Sequence, residues 1–336
     1  MQELTQNQIA KLSRVSQATV SRVLRGDPRV NEDLRQRVLA VIEKHGYVPD
    51  ARAQSLRSQR TGILGLVVHR SPRRLASDPF FSALIASIIE FAGKAGYHLC
   101  VDAARAVQSR RAIYEELLRT RRVDGLILVE SQTQDERMPR LLHEGFPFVL
   151  IGRYEPIDAV YSVDNDNIGA GKMATRHLLH KGHRRIAYLS GPRGVFVCED
   201  RHTGYRSALK EAGLEYSSEL VAWGDFSEEH GYRAMSRLLS LPYPPTAVVA
   251  VDDLVAVGAL RAAKERGVGV PQELAIVGFN DSPFCQYVEP PLSSVAVDIR
   301  TLAQMATDVL IKLIEEREVP QRRYIVPCHL VERKTT

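Results

Sequence analysis

Gln17, Ala18, Ser21 and Arg22 fall on one face of a short predicted helix. That face is small and polar, with one guanidinium at its far end. An arginine fork bonds two acceptors on guanine, a glutamine amide suits adenine, and small residues allow close approach or meet a thymine methyl. Such a surface suits the major groove of DNA. Val20, Val23 and Leu24 lie at i, i+3 and i+4 and face the other way, toward a core. Ser16 is a good N-cap for this helix.

The neighbouring segments give that helix its support. Thr5-Gln6-Asn7-Gln8 fits a capping box, and Ile9, Ala10 and Leu12 give the preceding helix an apolar face. Ser13-Arg14-Val15 is the turn. Asn31 caps a third helix, with Glu32 and Asp33 in its first turn. Leu34, Val38, Val41 and Ile42 form its buried stripe, and Gly46 ends it. Two short helices joined by a tight turn are common. The alternative to a DNA-reading face is therefore a three-helix bundle with a basic surface.

Charge separates this head from the rest. Residues 1–60 hold eleven Lys/Arg against six Asp/Glu, while the whole 336-residue chain carries 45 against 40. The remainder is neutral. A basic head on a neutral body fits a nucleic-acid binder with a second task. The length allows two or three domains. No apolar run approaches the roughly 18 residues needed to span a bilayer. The start, Met1-Gln2-Glu3-Leu4-Thr5-Gln6, lacks the basic and apolar regions of a signal peptide, so a cytoplasmic protein without membrane contact is expected. Cys100, Cys198, Cys285 and Cys328 form no metal or redox spacing. They read as small core residues in a reducing compartment.

The body alternates strand and helix. Strands are predicted at 62–68, 97–101, 124–129, 147–151, 185–190, 247–252 and 274–279. Helices are predicted at 80–95, 108–120, 167–181, 199–213, 228–240, 253–266 and 299–317. Such alternation makes parallel sheets covered on both faces, with ligands beyond the carboxyl ends of the strands. Enzyme signatures fail. No GxGxxG follows a strand, and Gly169-Ala170-Gly171-Lys172-Met173 has neither the spacing nor the Ser/Thr of a phosphate loop. No GxSxG elbow is present. His180 and His183 flank a helix end without acidic partners at ligand spacing, so a solvent or capping role is expected. No catalytic activity, cofactor or metal is expected.

Residues 4–60 resemble the headpiece of the LacI/GalR family of bacterial transcription regulators. The resemblance runs through Ile9-Ala10-Lys11-Leu12, the string from Val15 to Leu24, Arg37-Val38-Leu39-Ala40-Val41-Ile42 and His45-Gly46-Tyr47-Val48-Pro49. It continues through Arg122-Val123-Asp124-Gly125-Leu126-Ile127-Leu128, Val163-Asp164-Asn165, Gly182-His183-Arg184-Arg185-Ile186-Ala187, Gly224-Asp225-Phe226, Pro245-Thr246-Ala247 and Pro290-Pro291-Leu292. It implies an all-α helix-turn-helix headpiece at 1–49 and a hinge helix and linker at 50–61. Residues 62–336 would form an α/β two-lobed effector-binding and dimerisation domain, like a type I periplasmic binding protein. The ligand would lie between the lobes, and the chain would cross between them three times.

The same resemblance implies site residues. Gln17, Ala18 and Arg22 match base-reading positions, and Thr5, Ser16, Thr19, Ser21, Asn31 and Tyr47 complete the DNA-contacting set. Leu56 matches an apolar wedge for the minor groove. Phe80, Phe81, Arg153, Arg201, Phe226, Asp252 and Asn280 match the effector cleft. Four positions depart from the pattern in their residue. Arg14 stands where the family often has glycine. Arg52 and Gln54 sit where it usually has an apolar residue and an arginine. Asn280 replaces a common aspartate. Val195-Phe196-Val197 is apolar where purine-binding members are polar, which argues against a purine ligand. The implied function is a homodimeric repressor of sugar-utilisation genes. It would bind a near-palindromic operator and answer to a small carbohydrate. The alternative is a sugar-binding protein of the transport type without DNA function.

Overall fold

The computed structural model describes residues 4–24, 26–47, 60–68, 72–103, 119–133, 135 and 137–336. Arg52, Gln54 and Leu56 of the expected hinge, and most of the predicted helix 108–120, lie outside the described residues. The chain divides into two compact units, Met1–Thr61 and Gly62–Thr336.

The first unit holds α1 (Gln6–Ser13), α2 (Gln17–Leu24) and α3 (Glu32–His45). The capping box forms: the Gln8 amide donates to Thr5 Oγ1 at 3.3 Å and the Thr5 amide donates to Gln8 Oε1 at 2.7 Å. Ile9, Ala10, Val20, Val23 and Val38 make the core, with Leu24, Val41 and Ile42 packed around it. Leu12 corrects the expectation, since it is 49% exposed. The buried face of α1 runs through Ile9, Ala10 and Ser13. Leu12 lies about a quarter turn from the centre of that face. Arg14 ends α1 in the left-handed region at φ 53°. That conformation suits glycine, which explains the residue usually found in this turn.

The second unit contains two six-stranded sheets. Its strands are β1 (Ile63–Val68), β2 (His98–Ala103), β3 (Gly125–Val129), β4 (Phe148–Ile151), β5 (Ser162–Asn165), β6 (Ile186–Leu189), β7 (Val221–Ala222), β8 (Ala247–Ala250), β9 (Ala275–Asn280), β10 (Ser293–Ala296), β11 (Arg323–Val326) and β12 (His329–Val331). The first sheet runs β11-β5-β4-β3-β1-β2 and the second β12-β10-β9-β8-β6-β7. Every pairing is parallel except β10 with β12. The chain therefore passes between the sheets after β5, after β10 and after β11.

The helices are α4 (Pro72–Ser77), α5 (Pro79–Lys94), α6 (Arg137–His143), α7 (Asn167–His180), α8 (Phe196–Glu211), α9 (Glu228–Leu239), α10 (Asp253–Glu265) and α11 (Ile299–Ile314). Each sheet is covered on both faces. On the first, Leu84 and Ile88 of α5 join Leu302 and Leu310 of α11 in one core, and Met138 and Leu141 of α6 enter the other. On the second, α9 and α10 bring Met235, Leu238 and Val255 to one face, and α7 and α8 bring Ala174, Leu178 and Tyr205 to the other.

Helices α7 and α8 touch backbone to backbone. A Cβ on Gly171 would meet the Arg201 carbonyl oxygen at 2.1 Å, and one on Gly204 would meet that of Ile168 at 2.1 Å. Lys172 pairs with Glu211 at 2.5 Å. The glycines near this lysine serve packing. Cys198 and Cys285 are buried as expected, but Cys100 is exposed. It lies on β2, an edge strand with a neighbour on one side only.

Candidate DNA-reading face and effector cleft

Ser16 caps α2: its Oγ accepts from the Thr19 amide at 3.1 Å and lies 2.9 Å from Thr19 Oγ1. Gln17 Nε2 donates to Gln6 Oε1 at 2.9 Å, which anchors the first residue of the outward face. Ala18 and Arg22 are exposed. The Arg22 side chain makes no hydrogen bond or ion pair with another described residue. The same holds for the exposed side chains of Lys11, Arg14, Arg37 and Lys44. Arg35 differs, because it donates to the Asp27 carbonyl at 2.7 Å and pairs with Glu32 at 3.3 Å. Arg29 is bound to Asp27 at 2.9 Å, and its hydrogen bonds hold the Asp27 carboxyl down at about 2. Asn31 caps α3, accepting from the Asp33 amide at 2.9 Å. Tyr47 packs half-buried against the three-helix core.

In the second unit a cleft of roughly 700 Å³, counted out to its open mouth, lies between the two sheets. Its wall is made at the carboxyl ends of strands. Ser131 follows β3, Arg153 follows β4, Asn165 ends β5, Asp252 follows β8 and Asn280 ends β9. Phe80, Arg153, Arg201, Phe226, Asp252 and Asn280 all line it. Phe81 does not. It is 1% exposed and packs in the core with Leu84 and Ile88. Helical spacing puts Phe81, Leu84 and Ile88 on one buried face and turns Phe80 toward the cleft.

The polar groups of the wall are tied into chains. Arg153 Nε and Nη2 donate to the two carboxylate oxygens of Asp200 at 2.5 Å each. Arg153 belongs to the first lobe and Asp200 to α8 of the second, so this pair spans the cleft. Arg201 is 5% exposed. Its Nε donates to Asn167 Oδ1 at 3.0 Å, its Nη1 donates to the Val251 carbonyl at 2.6 Å, and its plane lies 4.4 Å over the Phe279 ring. Asn167 Nδ2 in turn donates to Asp164 Oδ1 at 2.9 Å. Burial pushes the Asp164 carboxyl up to about 7.

Asp252 caps α10 by accepting from the Val255 amide at 2.8 Å. Asn280 and Asp281 both have left-handed backbones, at φ 97° and 51°. A buried carboxylate braces this strained turn. Asp253 accepts from the Ser282 amide at 2.7 Å and from Ser294 Oγ at 2.6 Å, and Ser294 Oγ accepts from the Asp281 amide at 3.0 Å. Burial pushes the Asp253 carboxyl up to about 6.

Asp164, Asn167 and Asp200 escaped the reading of the sequence. The polar run from Asp164 to Asn167 was a visible signal for the first two. Asp200 had only its place beside Arg201. Among the described residues no group of three His, Cys, Asp or Glu is placed to hold a metal. No described helix is long and apolar enough to cross a membrane.

A helix-turn-helix unit joined to two parallel-sheet lobes with a polar cleft between them defines a ligand-responsive DNA-binding regulator. Comparison with known proteins agrees. Residues 5–50 match the model of the lacI family of bacterial regulatory proteins, and residues 175–336 match a periplasmic binding protein-like domain. The chain is 34% identical to the HTH-type transcriptional regulator CelR of Thermobifida fusca, over 98% of each chain. A solved structure of a CelR–cellobiose complex is similar with TM-score 0.78 and 32% identity, covering 99% of this chain and 100% of that one. The lac repressor dimer bound to operator and the anti-inducer ONPF gives TM-score 0.86 and 26% identity, covering 99% of both. The chain belongs to the lacI family of bacterial transcription regulators.

Proposed function

We propose that this chain is a cytoplasmic, homodimeric repressor of sugar-utilisation genes, with residues 1–49 as its DNA-binding domain, 50–61 as hinge and 62–336 as its effector and dimerisation domain. It has no catalytic role. The α2 face bearing Gln17, Ala18, Ser21 and Arg22 reads each half of a near-palindromic operator, flanked by Thr5, Ser16, Thr19, Asn31 and Tyr47. Arg153, Arg201, Asp252, Asn280 and the rings of Phe80 and Phe226 hold a small carbohydrate. The observation that carries the reading is the cleft wall itself. Guanidinium, carboxyl and amide groups from both lobes face one space beside two aromatic rings, which suits hydroxyls and the C–H face of a sugar. The relatives support it, since one is a regulator solved with cellobiose and another a dimer on its operator.

The test is operator binding by the full chain across a salt series, with and without a panel of sugars. Each phosphate neutralised adds about −0.9 to the log–log salt slope. A steep slope and a sugar that shifts affinity support the reading. A flat slope, with sugars still bound, would leave the transport-type alternative.

A further inference from the structure

We propose that Phe196 is a latch between the lobes: seated in the first lobe, it keeps the cleft closed whether or not a ligand is bound. The inference rests on the effector reading of the cleft and adds what holds its two halves together. Val195-Phe196-Val197 is the apolar run to which the chemistry of a sugar assigns no task. Its residues go to three places. Val195 packs in a core of the second lobe, Phe196 packs in one of the first, and Val197 lines the cleft.

Phe196 opens α8, a helix of the second lobe. Yet it is buried in a cluster whose other buried members among the described residues, from Val67 to Val160, all belong to the first lobe. The Tyr154 ring meets it edge-on with centroids 6.5 Å apart, and the Arg153 guanidinium lies 4.3 Å from its centre. Main chain joins the same seam. Gln132 and Val195 face each other in an antiparallel bridge. The Thr133 amide donates to the Gly194 carbonyl at 2.9 Å, and the Phe196 amide donates to the Ser131 carbonyl at 3.2 Å. The first amides of a helix lack partners within it. Val195 supplies no side-chain cap, and the Ser131 carbonyl of the other lobe takes that part. One turn along α8, Asp200 holds Arg153 by two bonds of 2.5 Å.

The seam stands away from the three crossings of the chain. Those leave from β5, β10 and β11. β3, which leads into Ser131, lies two strands from β5, and β6, which leads into Gly194, lies three strands from β10. At about 4.8 Å per strand this displaces the seam by roughly 10–14 Å. Lobes that swing apart about the crossings must withdraw a phenyl ring from an apolar seat, break two main-chain hydrogen bonds and part an ion pair. The ring also lines the cleft, so a latch has to be told from a ligand contact.

Hydrogen exchange on the full chain, without added sugar, reads the latch directly. Phe196→Ala should speed exchange of the amides at 133 and 196 by about tenfold or more, while Val248 and Val249, inside the second sheet, keep the parent's rate. Calorimetry with cellobiose as probe reads the consequence. If only about one chain in ten is then closed, affinity falls about tenfold. Gln132→Cys with Val195→Cys offers a covalent substitute. Facing residues of such a bridge stand about 4.5 Å apart, within disulfide reach, and neither of these two lines the cleft. In the Phe196→Ala chain the oxidised pair should restore slow exchange and the parent's affinity, and a reductant should remove both. In the otherwise native chain it should leave cellobiose affinity within about twofold, which decides the matter if the triple variant folds poorly. Unchanged exchange at 133 and 196 in Phe196→Ala overturns the latch. So does loss of cellobiose binding when the pair is oxidised in the native chain, since the bound lobes would then stand apart. Affinity lost in Phe196→Ala and not restored by the oxidised pair makes the ring a ligand contact instead. If cellobiose does not bind the parent, that failure belongs to the effector reading, and exchange decides the latch.

Discussion

Arg22 and Arg35 are both arginines of the headpiece, yet their surroundings differ. Arg35 is tied to Asp27 and Glu32, whereas Arg22 is exposed at the end of the α2 face. Arg22→Ala should cost about 1–3 kcal/mol of operator affinity and relax preference at one base pair of each half-site. Lys44→Ala should weaken all DNA slightly and equally. If Arg22→Ala also weakened specific and non-specific DNA equally, Arg22 would be a phosphate contact. In the cleft, Asp164 offers a pH test. Its carboxyl sits at about 7 in the folded chain against the ordinary 3.8. Between those values the folded state holds the extra proton, so stability from this group falls as pH rises and is lost above about 7. Asp164→Asn keeps the Oδ1 acceptor used by Asn165 and Asn167. It should flatten the fall of melting temperature between about pH 4 and 7. A variant as pH-sensitive as the parent would show that Asp164 ionises freely.

At the scale of elements, the α7–α8 contact positions the cleft. Gly171 faces the carbonyl of Arg201 itself, so Gly171→Ala must push α8 away where it carries the cleft arginine. Overpacking of this kind costs typically 1–3 kcal/mol. Effector affinity should fall more than for Gly93→Ala, whose Cβ would meet nothing within 4 Å. Equal affinities in the two variants would separate Arg201 from the ligand. Most elements were legible in the sequence, because their apolar periods are long. The helix at 253–265 and the strand at 63–68 announce themselves. The polar strands β5, β10 and β11 did not. Ser162–Asn165 and Ser293–Ala296 are four residues long and polar in part. Their pairing comes from distant segments, as when Ser162 meets Arg323. Asp200 was hidden for the same reason, since its partner Arg153 lies across the cleft. Leu12 and Phe81 were misplaced by a single position, which on a helix is enough to exchange core for surface or cleft.

At the scale of the whole molecule, the two units have separate cores. They should melt in separate transitions. A bound sugar at about 100 times its Kd should add roughly 2.7 kcal/mol to the larger unit and nothing to the headpiece. Calorimetry that showed both transitions rising together would mean that the units unfold as one. Effector control of DNA binding then needs a ligand that favours one arrangement of the lobes over another, and its leverage is limited to that difference in affinity.

The order of the strands also bears on how the chain emerges from the ribosome. All three headpiece helices are complete by His45. The first lobe is not. Its edge strand β11 at Arg323–Val326 pairs with β5, and α11 at Ile299–Ile314 supplies part of its core. Domains generally fold as units from the N-terminus during synthesis. The reader of DNA is thus assembled first, and the lobe that would govern it is closed last. A nascent or truncated chain ending before Arg323 carries a finished headpiece on an unfinished regulator. Such a chain lacks the finished cleft through which a ligand would act, so its headpiece helices would stand without that control.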